Sequence, residues 1–271
     1  MEKALTFSRV RRTPEPARAA GAIVFLRPLL LFGVRSFRAY YPWRLLLTTL
    51  LPRQFVLCIF LTSVGTIAGG ASNRTFAFIG ATVFAQTIVM VNVADILIDD
   101  RENATDDALT TAIPSRASIL AARLAPYPLF ALACSVAAVA AGPFLGQSTH
   151  LLDLATGVPA YLASGLSIAT AGAAFAAMVR NAEELVSNAV LWLMILSGGI
   201  VRDGAIPWLK PLNLVLPGKH AVVALQNHLM GASMVSDIVG ELAVAVFWFL
   251  VACLIIWVRS GNERKSRSAA A

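Results

Sequence analysis

Residues Ile200 to Asp237 read IVRDGAIPWLKPLNLVLPGKHAVVALQNHLMGASMVSD, a proline-punctuated segment set between two stretches long enough to cross a bilayer. Pro207, Pro211 and Pro217 interrupt helix by removing N–H donors, while Trp208, Leu209, Leu212, Leu214 and Leu216 keep the segment apolar. Non-helical backbone at membrane depth has to be buried in protein or line a cavity, because hydrocarbon offers its N–H and C=O groups no partner. Two short helices dipping into one leaflet satisfy that requirement, and so does an interfacial loop held by Trp208. The first arrangement makes residues 204–231 a re-entrant helical hairpin on the outer face, with Pro207, Trp208, Leu209 and Pro217 as a gate over a pathway.

Working outward, 58% of the 271 residues are hydrophobic and 14% charged, with a mean hydropathy of +0.72. Soluble domains fall below this. The chain reads as an all-α polytopic membrane protein with no room for a separate soluble catalytic domain, since each span takes roughly 20 apolar residues. Candidate spans lie near Trp43–Gly69, Phe76–Ile98, Ile119–Phe144, Leu154–Val179, Leu185–Val201 and Ile238–Val258, six in all. Residues 27–258 then form a single transmembrane domain between a basic arm, 1–26, and a basic tail, 259–271.

An even span count puts both termini on one side. Basic residues crowd the N-terminal portion (Arg9, Arg11, Arg12, Arg18, Arg27, Arg35, Arg38) and the tail (Arg259, Arg264, Lys265, Arg267), which by the positive-inside rule makes that side cytoplasmic. The expected location is the cytoplasmic membrane of a bacterium. The net charge of +7 flanks spans instead of lining one face of a domain, so anionic lipid headgroups of the bilayer, not nucleic acid, are the expected partner. Cys58, Cys134 and Cys253 sit inside apolar spans without paired spacing and read as inert packing residues. The N-terminus lacks a short apolar run with a small-residue cleavage site, so the first span is expected to stay uncleaved.

Ahead of the first span, RPLLLFGVRSFRAYY (27–41) places Arg27, Arg35 and Arg38 in one arc of a helix at about 100° per residue. It is expected to lie in the cytoplasmic interface over 27–41, with Pro28 in its first turn and Pro42 at its end. The longest hydrophilic stretch, DILIDDRENATDDALTTAIPSRASILAAR, runs from Asp95 to Arg123. It admits three readings: a solvated loop, a metal or pyrophosphate site built from carboxylates, and a short helix that receives force from another subunit.

For the second reading, Asn92, Asp95 and Asp99 are spaced about one helical turn apart, as a Mg2+–diphosphate site requires. That resembles the first aspartate motif of membrane prenyltransferases, although Val93 stands where that family has an aspartate. The later loop offers only Arg180, Glu183 and Glu184 in place of a second motif.

For the third reading, Arg101, Glu102, Ala104, Thr105, Leu109, Pro114 and Ser115–Arg116 resemble the Arg-Glu-x-Gly-Thr…Leu…Pro-x-Arg segment of type-2 ABC exporter permeases, with Ala104 in place of the glycine. The resemblance continues through Ser197–Gly198, Ile206–Pro207, Leu209, Leu216–Pro217, Ala221, Ala224 and Gly231. It implies a permease that dimerises with a second permease copy, identical or related, and binds a separate nucleotide-binding ATPase subunit through a coupling segment, 99–118, in which Arg101, Glu102, Thr105, Leu109, Pro114, Ser115 and Arg116 are the contact residues. The segment looks most like that of the drug and antibiotic exporters.

No GxxxxGK[ST] phosphate loop occurs, and GPFLGQST (142–149) lacks the lysine and reads as a span-ending turn. ATP and Mg2+ are therefore expected on the partner, with no cofactor or metal on this chain and no catalytic residue. Gln86, Asn92, Asn188 and Trp192 are candidate pathway residues, or bonds between packed helices. His150, His220 and His228 are scattered and make no ligand cluster. Asn73 and Asn103 head sequons read as coincidental, and Gly198–Gly199 read as a bend or a close helix contact. A cargo that is hydrophobic or amphipathic fits spans poor in charge. A prenyltransferase-like enzyme and a partner-free carrier or channel are the alternatives.

Overall fold

The computed structural model describes residues 16–102, 115–178, 188, 192, 195–202 and 207–270. Among them all regular structure is helical. Helix α1 (Pro16–Tyr40) precedes four helices long and apolar enough to cross a membrane, α2 (Trp43–Gly69), α3 (Ala71–Asp100), α4 (Arg116–Val139) and α5 (Val158–Met178). The short helix α6 (Lys219–Leu229) comes before the fifth such helix, α7, whose crossing portion is Val235–Arg259 and which continues to Ala270. The span expected at Leu185–Val201 falls largely outside the described residues, apart from its end, Ile195–Gly199.

Prolines shape the breaks. Pro42 sets the start of α2, and a wide π turn over Leu46–Leu50 lies just ahead of Pro52, whose ring would otherwise press on the carbonyl one turn back. Gly70, at φ +79, lets the chain leave α2 and turn directly into α3. Helix α3 tightens to a 3-10 turn at Ala85–Thr87, and α4 is interrupted between Leu124 and Tyr127, next to Pro126 and Pro128. Ser115 caps α4, its hydroxyl accepting from the Ser118 N–H at 3.4 Å.

Helix α3 is the centre of the bundle, 89% of its most apolar window being buried, against 33% for α2 and 22% for α7. Val56, Phe60 and Ile67 on α2, and Val246, Leu250, Leu254 and Trp257 on α7, face outward, which suits lipid or a further protein and not water. Small residues let the inner helices meet. A Cβ on Gly165 of α5 would run into Ala131 of α4, and one on Gly172 would lie 2.8 Å from the Met90 carbonyl of α3.

A helix stands where the interfacial one was expected, but it is longer than read, since it starts at Pro16 and carries Pro28 in its interior instead of its first turn. The Ala-rich stretch before Pro28 sustains helix, and the proline removes only one backbone donor. Leu29, Gly33, Phe37 and Tyr41, spaced four apart, form its inward stripe. Gly33 sits so close to α4 that a Cβ there would overlap the Ala122 carbonyl oxygen. Gly33→Ala is expected to push α1 off α4 and lower the thermal midpoint of the detergent-solubilised protein, by about 1–3 kcal/mol in stability. Gly240→Ala, whose methyl meets only the His220 ring at 3.1 Å, is the control and should shift it much less.

Candidate functional site

Two ends of the bundle gather the polar residues. At the α1 end, α3 runs on through Asp99, Asp100 and Arg101 to Glu102, and α4 begins at Arg116 behind its Ser115 cap. Arg101 and Glu102 continue the helix, their side chains lying outside what is described, and Thr105, Leu109 and Pro114 fall outside the described residues altogether. Arg27 is helical in α1, with its side chain likewise undescribed. Arg35 and Arg38 are exposed, and the Arg38 guanidinium stands 5.8 Å from the Trp43 ring centre, a cation–π contact at the bend between α1 and α2.

This end is locked by charge. Nη2 of Arg123 lies 2.7 Å from both Asp100 carboxylate oxygens, with the two residues only 6% and 8% exposed. The same guanidinium sits 4.5 Å from the Phe32 ring centre, so one side chain of α4 joins α3 to α1. Tyr40 donates its hydroxyl to Asp99, and that hydrogen bond, helped by partial burial and the neighbouring carboxylates, pushes the Tyr40 hydroxyl up to about 12. A cavity of about 750 Å3 opens here between Leu31, Phe32, Arg35, Tyr40, Asp99 and Arg123. Asp100 thus pairs within the chain, and Asp99, a member of the candidate carboxylate set, accepts from Tyr40.

At the far end, residues 207–231 form a 3-10 helix, Pro207–Leu214, and then α6, joined by a turn in which Gly218 takes φ +81. Pro211 inside the first piece keeps it from becoming α-helix. Trp208 is 74% exposed at its tip, Pro217 is buried at its base, and the side chains of Pro207 and Leu209 lie outside what is described. Gly198, at φ +96, breaks the preceding helix, and Gly199 stands so near Gly80 that a Cβ on the latter would overlap its carbonyl oxygen. Both readings of that glycine pair, bend and close contact, describe it. Lys219, buried at the start of α6, donates Nζ to the Gly198 carbonyl oxygen, and burial lowers its pKa to about 8. Asn73, only 4% exposed, donates to the Gly65 and Ile200 carbonyls at 2.8 and 2.9 Å and accepts from the Arg202 N–H. Its sequon is therefore closed off by the fold.

Of the candidate pathway residues, Gln86 is fully buried and engaged by Ser135, Tyr161 and Ser164, a packing bond. Asn92 is 3% exposed and its carbonyl accepts from Tyr127, while Asn188 and Trp192 are exposed positions of helix whose neighbours are mostly undescribed. Cys58 and Cys134 are buried and free. Among the described residues no three His, Cys, Asp or Glu side chains gather as a metal site.

Sequence reasoning passed over Glu241, a carboxylate in the crossing portion of α7 that is 0% exposed. A signal was there, since an ionisable residue at membrane depth marks function or a fixed partner by default. It also passed over the Arg123–Asp100 pair, whose members look like loop charges until the helices are placed. Arg123→Met takes away the cation facing Asp100 and is expected to lower unfolding stability in detergent by about 3 kcal/mol. The double variant Arg123→Met/Asp100→Leu should recover most of that loss in the same unfolding measurement.

No curated protein and no solved structure matches the chain. The family of the ABC-2 type transporter does, over residues 29–230, a stretch that begins inside α1, takes in the locked end, the bundle and the broken segment, and ends at the close of α6. With five candidate membrane-crossing helices and that match over most of its length, the chain belongs to the ABC-2 type transporter family, as a membrane-embedded transport component.

Proposed function

We propose that this chain is the permease half of an ATP-driven exporter, paired with a second permease copy, identical or related, and with separate ATPase subunits that hold ATP and Mg2+. In this reading the α1 end faces the cytoplasm, both termini lie there, and the membrane is the cytoplasmic membrane of a bacterium. The supporting observation is the clamp at that end. Gly33 against Ala122, Tyr40 on Asp99, and Arg123 between Asp100 and Phe32 tie α1, α3 and α4 into one body. ATP-driven closure of the partners against segment 99–118 would then displace three helices together, the kind of rigid shift by which packed bodies switch between two arrangements.

Asp106 and Asp107, with Arg101 and Glu102, are left to meet the partner, a contact that sets orientation and encounter more than affinity. The far end, with its exposed Trp208 tip, is the outer gate. The cargo is a hydrophobic or amphipathic small molecule, a drug, antibiotic, natural product or lipid, reaching the pathway from the inner leaflet. That class fits spans whose one fully buried carboxylate among the described residues, Glu241, is already held by the protein.

Affinity purification in mild detergent tests the coupling. An ATP-hydrolysing subunit is expected to accompany the tagged chain and to be lost, or reduced at least about tenfold, on Arg101→Glu or Glu102→Arg. A clean preparation without any ATPase, from membranes that express one, overturns the reading. Export of hydrophilic glycan alone, in a vesicle assay with both cargo types, would overturn the cargo class.

A further inference from the structure

The N-cap of helix α6 is Gly218, a residue with no side chain to satisfy the free N–H groups of the first turn. The cap comes from another span. Glu241, one turn and a half into α7, accepts at Oε1 from the Gly218 N–H at 2.6 Å and at Oε2 from the Ala221 N–H at 3.1 Å. Its Oε1 also accepts from the Ser167 hydroxyl of α5. All three partners are buried with it, so one carboxylate joins α5, α6 and α7 in the interior of the bundle.

The network extends further through α5. The Ser167 hydroxyl is shared with the Ser164 carbonyl at 3.0 Å, and the Ser164 hydroxyl donates to Gln86 Oε1 at 2.7 Å. Gln86 in turn donates to the Ser135 hydroxyl at 2.8 Å and the Tyr161 carbonyl at 3.1 Å. Gln86 sits in the 3-10 turn at the middle of α3, the helix whose other end carries Asp99 and Asp100. A hydrogen-bonded line thus runs from the central break of α3 to the first turn of α6. On the opposite side of that turn, Lys219 holds the Gly198 carbonyl.

Building on the exporter reading, we infer that Glu241 is the positioning residue of the outer gate: its carboxylate fixes the closed placement of α6, and release of its bonds to Gly218 and Ala221 is what frees that helix when the outer end opens. A cap supplied from within α6 would travel with the helix and hold nothing. One supplied from α7 makes the first turn of α6 move only when α5 and α7 shift relative to each other. Charge-assisted bonds of this sort are the strong ones, and their loss leaves buried N–H groups unsatisfied.

The test uses the full chain, with whatever ATPase accompanies it, in lipid nanodiscs. In Glu241→Gln, amide hydrogen exchange of the peptide containing Gly218 to Ala221 is expected to accelerate about tenfold to a hundredfold, as loss of a charged acceptor predicts. Peptides in the middle of α3 and α5 should exchange as before, and the complex should still hydrolyse ATP. Ser167→Ala should move the same peptide in the same direction by less. Unchanged exchange at Gly218–Ala221 in folded Glu241→Gln, or acceleration spread equally over all spans, overturns the inference. If Glu241→Gln does not fold, Ser167→Ala decides by the same peptide, and no acceleration there overturns it. Absence of any ATPase with the unaltered chain counts against the exporter reading alone, because the exchange measurement still judges the cap.

Discussion

Hydrocarbon offers no partner to a backbone N–H or C=O, and this bundle breaks its helices repeatedly. Each break therefore has to be answered by a polar side chain from elsewhere in the fold. The carbonyls exposed by the left-handed turn at Gly198 and by the helix end at Ile200 are taken by Lys219 and Asn73. The N–H groups at the start of α6 are taken by Glu241. The mid-helix turn of α3 has Gln86, bound to α4 and α5. Take these side chains away and the broken segments lose the partners that hold them in the bundle.

The same constraint gives the two ends different characters. At the α1 end a glycine contact, a tyrosine on a carboxylate and a buried ion pair fasten α1 across α3 and α4. A buried pair of this kind contributes little net stability over an apolar one, yet breaking it is costly, so its effect is to fix which residues face each other. At the far end the joins run through single hydrogen-bonding side chains, Lys219, Asn73 and Glu241.

Much of this was legible in the chain. Hydropathy places the crossing portion of α2 at Trp43–Gly69 and the others within a few residues, because a span is a local property of composition and length. Pro207, Pro211 and Pro217 announce the broken segment, since a missing N–H acts on its own helix. The outer boundary of α1 was misjudged because Pro28 reads as a helix start, whereas the alanine-rich turn before it continues the helix. The partners of the charges in 95–123 were not legible, for a different reason. Asp99 and Asp100 look free in sequence, and only the arrival of Tyr40 and Arg123 from other helices takes them up.

By itself the sequence determined the class of the molecule, the rough limits of the five apolar helices found among the described residues, the positions where helix fails, and the order of features shared with the ABC-2 type transporters. These follow from neighbours along the chain, which fix hydrophobic length, proline effects and helical period. Tertiary structure alone decided that Glu241 caps the start of a helix lying before it in the chain, that Arg123 belongs to Asp100, and that Gln86 bonds to Ser135, Tyr161 and Ser164. Such pairings depend on how closely helices approach, which is set by Gly33, Gly80, Gly165 and Gly172 meeting particular backbones and side chains across the bundle. A partner chosen across space, at hydrogen-bond distance, leaves no period in the sequence by which to read it.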